Sequence, residues 1–150
     1  MLVRHVILLL VTVWAGSLWA IGYIVAPILF ASVENKVLAG TIAGNLFQAE
    51  AWLSLACGLF LVFLCNSTVC NFSLKERRLI SLLIVGMLTC TLIGYFVLHP
   101  YMVDLRALMH GVVGPDLIVV KSKFGLLHGL SSMLYLLESL LAVALILKIR

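Results

Sequence analysis

Four long apolar runs, separated by polar stretches of unequal length, organise this chain. They cover residues 5–30, 39–65, 79–98 and 124–147. Each is at least as long as the roughly 20 residues that a helix needs to cross the hydrocarbon core of a bilayer. The pattern therefore predicts an all-α, integral membrane four-helix bundle, with a single transmembrane domain over 1–150. Residues 33–38 read as a tight turn and 66–78 as a polar loop. Residues 99–123 form a longer connector with room for a short helix of its own. No internal repeat or low-complexity tract is read. Arg4 ahead of an apolar stretch, with Ala15, Gly16 and Ser17 behind it, has the outline of a signal peptide. The run continues well beyond the 7–15 residues of such a segment, so a first membrane span is expected instead.

Within the runs, helical spacing sorts the polar positions onto faces. At 100° per residue, His128, Ser131, Ser132, Tyr135, Glu138, Ser139 and Ala142 fall within an arc of about 120°, opposite Leu130, Leu137, Leu141 and Ala144. In the first run His5, Thr12, Gly16, Trp19, Tyr23, Ala26, Pro27 and Phe30 share a side, and Trp14 points away. The second places Glu50, Ser54 and Cys57 on one line, with Asn45, Gln48 and Trp52 beside it. Gly86, Cys90 and Gly94 in the third form a small-residue seam suited to close helix approach, with Cys90 as a packing residue.

Composition removes the soluble alternatives. The chain is 64% hydrophobic and 11% charged, with a mean hydropathy of +1.23, against roughly 25% charged residues in ordinary globular domains. The net charge of +4 comes from lysines and arginines at the ends of apolar runs. They form no basic face interleaved with aromatics, so nucleic acid is not an expected partner. With both termini cytoplasmic, Arg4, Lys75, Arg77, Arg78, Lys148 and Arg150 lie inside, and Lys36, Arg106, Lys121 and Lys123 outside. That bias favours this orientation, in a bacterial inner membrane or its equivalent. Cys65 and Cys70 then face the reducing side and Cys57 and Cys90 lie in the membrane, so no disulfide is expected. The Asn66 and Asn71 sequons would likewise face inward, unglycosylated.

Chemistry must come from polar groups carried into lipid, where each costs a few kcal/mol and so faces protein or water. His5, Tyr23, Glu50, His128 and Glu138 are the candidates for holding a cofactor. If the first, second and fourth helices face one another, these groups form a ladder across the bilayer. His128 and Glu138 are ten residues apart, hence about 15 Å along the axis. They can act as successive stations and cannot ligate one ion together. A second constellation, His99, Met102, Met109 and His110, combines thioether and imidazole, a ligand set suited to Cu(I), with Arg106 on the same face. The plainer alternative reads the serines and alanines as packing residues, and the Met and His residues as ordinary side chains of a membrane interface. No P-loop, GxGxxG, His-Glu-x-x-His or nucleophile elbow occurs. Cys65 and Cys70 lack Cys-x-x-Cys spacing.

The stretch from His5 to Phe30, with Trp14-Ala-Gly-Ser-Leu-Trp19 and Tyr23-Ile-Val-Ala-Pro27-Ile-Leu-Phe30, is followed by Ala39-Gly40 and Phe47. With the later Phe124-Gly-Leu-Leu-His128-Gly-Leu-Ser131, it resembles the domain of unknown function 4149 of transmembrane protein 205-like proteins. The opening His, the aromatic-glycine centre and the Tyr-then-Pro exit are also similar to CopD-type copper-resistance proteins and to HemJ-type protoporphyrinogen oxidases. Those resemblances imply copper handling or haem binding. His5 matches the opening His, whereas Pro27-Ile28 stands where HemJ-type proteins usually have Pro-Arg. The sequence thus leads to a membrane protein that binds or transports copper, or binds haem, through intramembrane His and Glu. An accessory or scaffold subunit, acting with other membrane subunits or with copies of itself, and a HemJ-like haem-dependent oxidase stay open as alternatives. No catalytic residue is assigned.

Overall fold

The second, third and fourth helices begin where the sequence supplies a cap or a turn. In the structure, a computed structural model that describes residues 2–67, 72–109, 111 and 113–149, four membrane-length helices follow one another: α1 (Val3–Ser32), α2 (Lys36–Asn66), α3 (Leu74–Leu108) and α4 (Pro115–Ile149). Asn35 opens α2, its Oδ1 accepting from the Val37 and Leu38 N–H groups at 3.0 and 3.1 Å. Ser73 and Glu76 form a reciprocal capping box at the start of α3. Gly114, at φ 74°, takes a backbone turn that only a residue without Cβ adopts freely. Pro115 then starts α4 with its φ already helical and no N–H to leave unpaired.

The helix ends are closed by cations. Lys36 Nζ donates to the carbonyls of Phe30 (2.6 Å) and Val33 (3.2 Å) at the end of α1. Arg77 donates to those of Cys65 (2.7 Å) and Ser67 (2.5 Å) at the end of α2, and Arg4 Nε to that of Ile149 (3.2 Å) at the end of α4. Each places positive charge where orphan carbonyls and the negative pole of a helix coincide.

The contacts run α1 against α2, α2 against α3, α3 against α4, and α4 back against α1, an up-and-down four-helix bundle. Its outward faces carry large apolar side chains, among them Leu9, Phe63, Leu82, Leu126 and Met133. So much contiguous apolar surface belongs in lipid. With about 31–35 residues apiece in α2, α3 and α4, the helices exceed the length a bilayer core requires and project from it or tilt.

Two boundaries differ from the sequence pattern. Most of the expected 99–123 connector is helix: His99–Leu108 continues α3, and α4 already begins at Pro115. Pro100 does not stop α3 because the helix widens just before it. Residues Leu92–Leu98 have π geometry, the His99 N–H reaching the Gly94 carbonyl five residues back. α1 does the same at Ala20–Val25, where the Ala26 N–H reaches Ile21 and Pro27 follows. A proline has no N–H to give and crowds the carbonyl four residues before it, and a π turn relieves both defects. The two wide segments carry the same triplet, Ile21-Gly22-Tyr23 and Ile93-Gly94-Tyr95. This is a short internal repeat, where none was expected from the sequence.

The wide turns change which residues face inward. Below the one in α1 the buried line is Ile7, Val11, Trp14 and Leu18; above it, Gly22, Ala26 and Phe30 face the bundle interior. One extra residue per turn rotates the face by about 100°, so a single straight projection cannot serve both halves. Accordingly Trp14, expected to point away, is fully buried, while His5, Thr12 and Gly16 lie on the exposed side. The α3 seam is also shorter than expected. A Cβ on Gly86 would meet Leu141 Cδ1 at 3.2 Å, but one on Gly94 would meet nothing within 4 Å.

A candidate binding cavity inside the bundle

The half of the bundle holding the chain termini is solid. Ile7, Val11, Trp14, Leu61, Ile80, Ile84, Met87 and Leu145 form a core with at most 1% exposure. At the level of the π turns the filling stops, and polar side chains tie the helices together. Trp14 Nε1 donates to Ser54 Oγ at 2.7 Å, and Ser54 Oγ donates to Glu50 Oε1 at 2.6 Å. Thr91 Oγ1 donates to Glu138 Oε1 at 2.8 Å. Trp19 Nε1 donates to Ser139 Oγ at 2.7 Å. Tyr135 donates to the Leu18 carbonyl at 2.6 Å, beside the wide turn of α1. All four helices are joined by these bonds; those of Trp14, Ser54 and Thr91 are buried, where a lost partner is costly, and those of Trp19 and Tyr135 are partly buried.

Above this layer lies a cavity of about 570 Å³, walled by all four helices and reaching toward the end where α1 turns into α2. Its floor holds Glu50 and Glu138, 4% and 3% exposed. Aromatic rings form much of the wall. Tyr135 stands edge-on to Tyr23 and Phe47, with centroids 6.1 and 5.5 Å away, and Tyr95 stacks on His99 at 4.8 Å. Toward the open end stand His99, Arg106 and His128, and His128 stacks on Phe124. The Arg106 guanidinium lies 5.5 Å over the same Phe124 ring and has no hydrogen-bond or ion-pair partner among the described residues. Gly40 makes room for it: a Cβ there would sit 2.7 Å from Nη1 and 3.0 Å from Cζ. A smaller cavity of about 330 Å³ lies between α2 and α3, bordered by Asn45 and Gln48 and sharing His99 and Arg106 with the first.

The structure brings Tyr23, Glu50, His128 and Glu138 to one cavity and leaves His5 on the exposed face near the start of α1. Of the second constellation, His99 and the buried Met102 line the cavity with Arg106. Met109 caps the end of α3 outside the lining, and His110 lies outside the described residues. Among those residues no three His, Cys, Asp or Glu side chains converge on a point that could hold a metal ion. Sequence reasoning missed Thr91 as the donor to Glu138 and Trp14 as the donor to Ser54, and missed the turning of Arg106 into a cavity. The visible signals were Pro27 and Pro100, each two residues beyond a wide turn inside an apolar run.

Four apolar helices around an open cavity with a carboxyl floor define a polytopic integral membrane protein with a pocket inside its bundle. The chain belongs to the family described as Domain of unknown function (DUF4149), whose family model matches residues 9–111. That stretch supplies the α1, α2 and α3 walls; the α4 wall, with His128, Tyr135 and Glu138, lies beyond it. Neither the curated proteins nor the solved structures give a match to this chain.

Proposed function

We propose that this membrane protein binds an amphipathic organic molecule, its apolar body between the aromatic walls and an anionic group at Arg106. The observation that carries the reading is the cavity of about 570 Å³ with an unpaired guanidinium at its open end, seated there by the missing Cβ of Gly40. The volume falls in the range of roughly 300–1,000 Å³ typical of small-molecule sites. Arg106 stands two residues before the end of α3 and is only partly buried, so its charge is solvated until an anion enters the cavity. A planar guanidinium over an aromatic ring suits a carboxylate or phosphate, which it can meet with two parallel hydrogen bonds.

A haem-type cofactor is the second reading, favoured by two imidazoles, His99 and His128, on the same cavity wall. Either could ligate iron, Arg106 would meet a propionate, and the tyrosines and Phe47 would cover the macrocycle; bound haem would supply one-electron chemistry. Copper handling would rest on His99 and Met102, a softer but smaller ligand set. The orientation proposed with it places both termini in the cytoplasm of a bacterial cell, so that the cavity opens toward the outer side.

Purification in mild detergent, followed by absorption spectroscopy, elemental analysis and native mass spectrometry, tests these readings together. An organic anion retained by the wild type and lost from Arg106→Gln supports the proposal. A Soret band that disappears in His99→Ala or His128→Ala moves the assignment to haem, and stoichiometric copper moves it to metal handling. Failure of the wild type to take up any amphiphilic anion would leave the scaffold reading in possession.

A further inference from the structure

The open end of the cavity and its floor differ in charge. We infer that the ligand has two polar ends, an anionic one at Arg106 and an ammonium or other N–H donor that reaches Glu50 and Glu138. This deepens the reading of the cavity as an amphiphile site and rests on it. At the floor, one oxygen of each carboxyl accepts from a neighbouring hydroxyl, Ser54 for Glu50 and Thr91 for Glu138. The second oxygen of each has no partner in the protein. No buried side-chain oxygen or nitrogen is left unsatisfied among the described residues. The free oxygens are therefore those with accessible surface, and both residues line the cavity.

Two carboxyls lining one cavity, each with an acceptor oxygen left over, form a receptor for hydrogen-bond donors. No lysine or arginine other than Arg106 lines the cavity, so a cationic end meets acids at the floor and no repulsion there. The two recognition points are separated along the helices. Arg106 lies fifteen residues beyond Thr91, and His128 ten before Glu138, which puts the ends about 15–22 Å apart. A single metal ion cannot touch both. An elongated molecule with an apolar middle can, and the tyrosine and phenylalanine rings lie along that middle.

Three probes of equal chain length separate the contributions: dodecanoic acid, with the anion only; dodecylamine, with the cation only; and ω-aminododecanoic acid, with both. Binding is measured by equilibrium dialysis against the full chain in lipid nanodiscs, with empty nanodiscs as the blank. The aminoacid is expected to bind at least tenfold more tightly than dodecanoic acid. That preference should collapse to less than threefold in the Glu50→Gln/Glu138→Gln variant, whose amides remain hydrogen-bonding but neutral. Dodecanoic acid binding as tightly as the aminoacid in the wild type would overturn the two-ended ligand while leaving the amphiphile site standing. Absence of binding by all three probes would overturn both. The comparison among probes on wild-type protein decides the matter even if the double variant does not fold.

Discussion

The half of the bundle at the chain termini and the half at the α1–α2 turn are built from the same four helices, yet one is filled and the other hollow. In the terminal half, Trp14, Leu61, Ile84, Met87 and Leu145 interlock with at most 1% exposure. In the turn half, Gly22 and Gly40 leave room for Tyr135 and Arg106, Gly44 lies beside His99, and Gly94 faces open space. The transition coincides with the two π turns and with the layer of Ser54, Thr91, Tyr135 and the two glutamates. Lipid gives helices no hydrophobic drive toward one another, so packing and hydrogen bonds must hold the bundle. The filled half supplies the packing. The polar layer holds the helices at a fixed spacing where the filling ends, and that frees the other half to remain open for a ligand.

The sharpest way to break this comparison is to truncate one large aromatic in each half. Trp14→Ala removes a fully buried indole and its bond to Ser54, and should lower stability by about 3–5 kcal/mol. Tyr23→Ala, on the half-exposed wall of the cavity, should cost less than about 1 kcal/mol. Equal losses, measured as unfolding in mixed micelles, would erase the distinction.

Adding bulk makes the converse test. A Cβ on Gly58 would lie 2.5 Å from Leu88 Cδ2, so Gly58→Leu should force α2 from α3 at a cost of about 1–3 kcal/mol. Gly94→Leu grows into open space and should leave the melting temperature nearly unchanged while excluding ligand. A large fall in melting temperature for Gly94→Leu would mean that the hollow half is closed in the membrane.

Ser54→Ala probes the boundary layer. It strands the Trp14 N–H and removes the donor to Glu50, which should cost about 1 kcal/mol, near the upper range of interhelical hydrogen bonds in membranes. An effect near zero would show that the layer is not what ties α1 to α2.

The two ends of the bundle can also be told apart without energetics. In a Cys70→Ser background, an impermeant thiol reagent added outside intact cells should label Glu34→Cys in the α1–α2 turn and spare Lys75→Cys at the opposite end. The reverse pattern would invert the orientation drawn from the lysines and arginines.

Much of the site was legible from spacing alone, where the helix stayed regular. On α4 the polar stripe from His128 to Ser139 projects correctly because no wide turn interrupts it, and on α2 Glu50, Ser54 and Cys57 are all buried as their line predicts. On α1 the same arithmetic held for Tyr23, Ala26, Pro27 and Phe30, which line the cavity, and failed before the π turn, where His5, Thr12 and Gly16 are exposed; on α3 it failed at Gly94, inside the π turn. Trp14 was assigned outward and Gly94 to a seam because both projections assumed 100° per residue from end to end.

By itself, then, the sequence determined the membrane class, the four helices and the residues that start the last three of them. Those follow from local quantities: apolar length, helical propensity, a capping Asn or Ser, a proline after a turn. Only the tertiary structure decided which half would be hollow, that Arg106 turns into the cavity beside Gly40, and that Glu50 and Glu138 line one cavity from α2 and α4. These depend on the angular offset that each wide turn adds, and on which side chains of neighbouring helices then compete for the same space. One extra residue in a turn displaces every later side chain by about a quarter of the circumference, and its consequence appears only when the other three helices are in place.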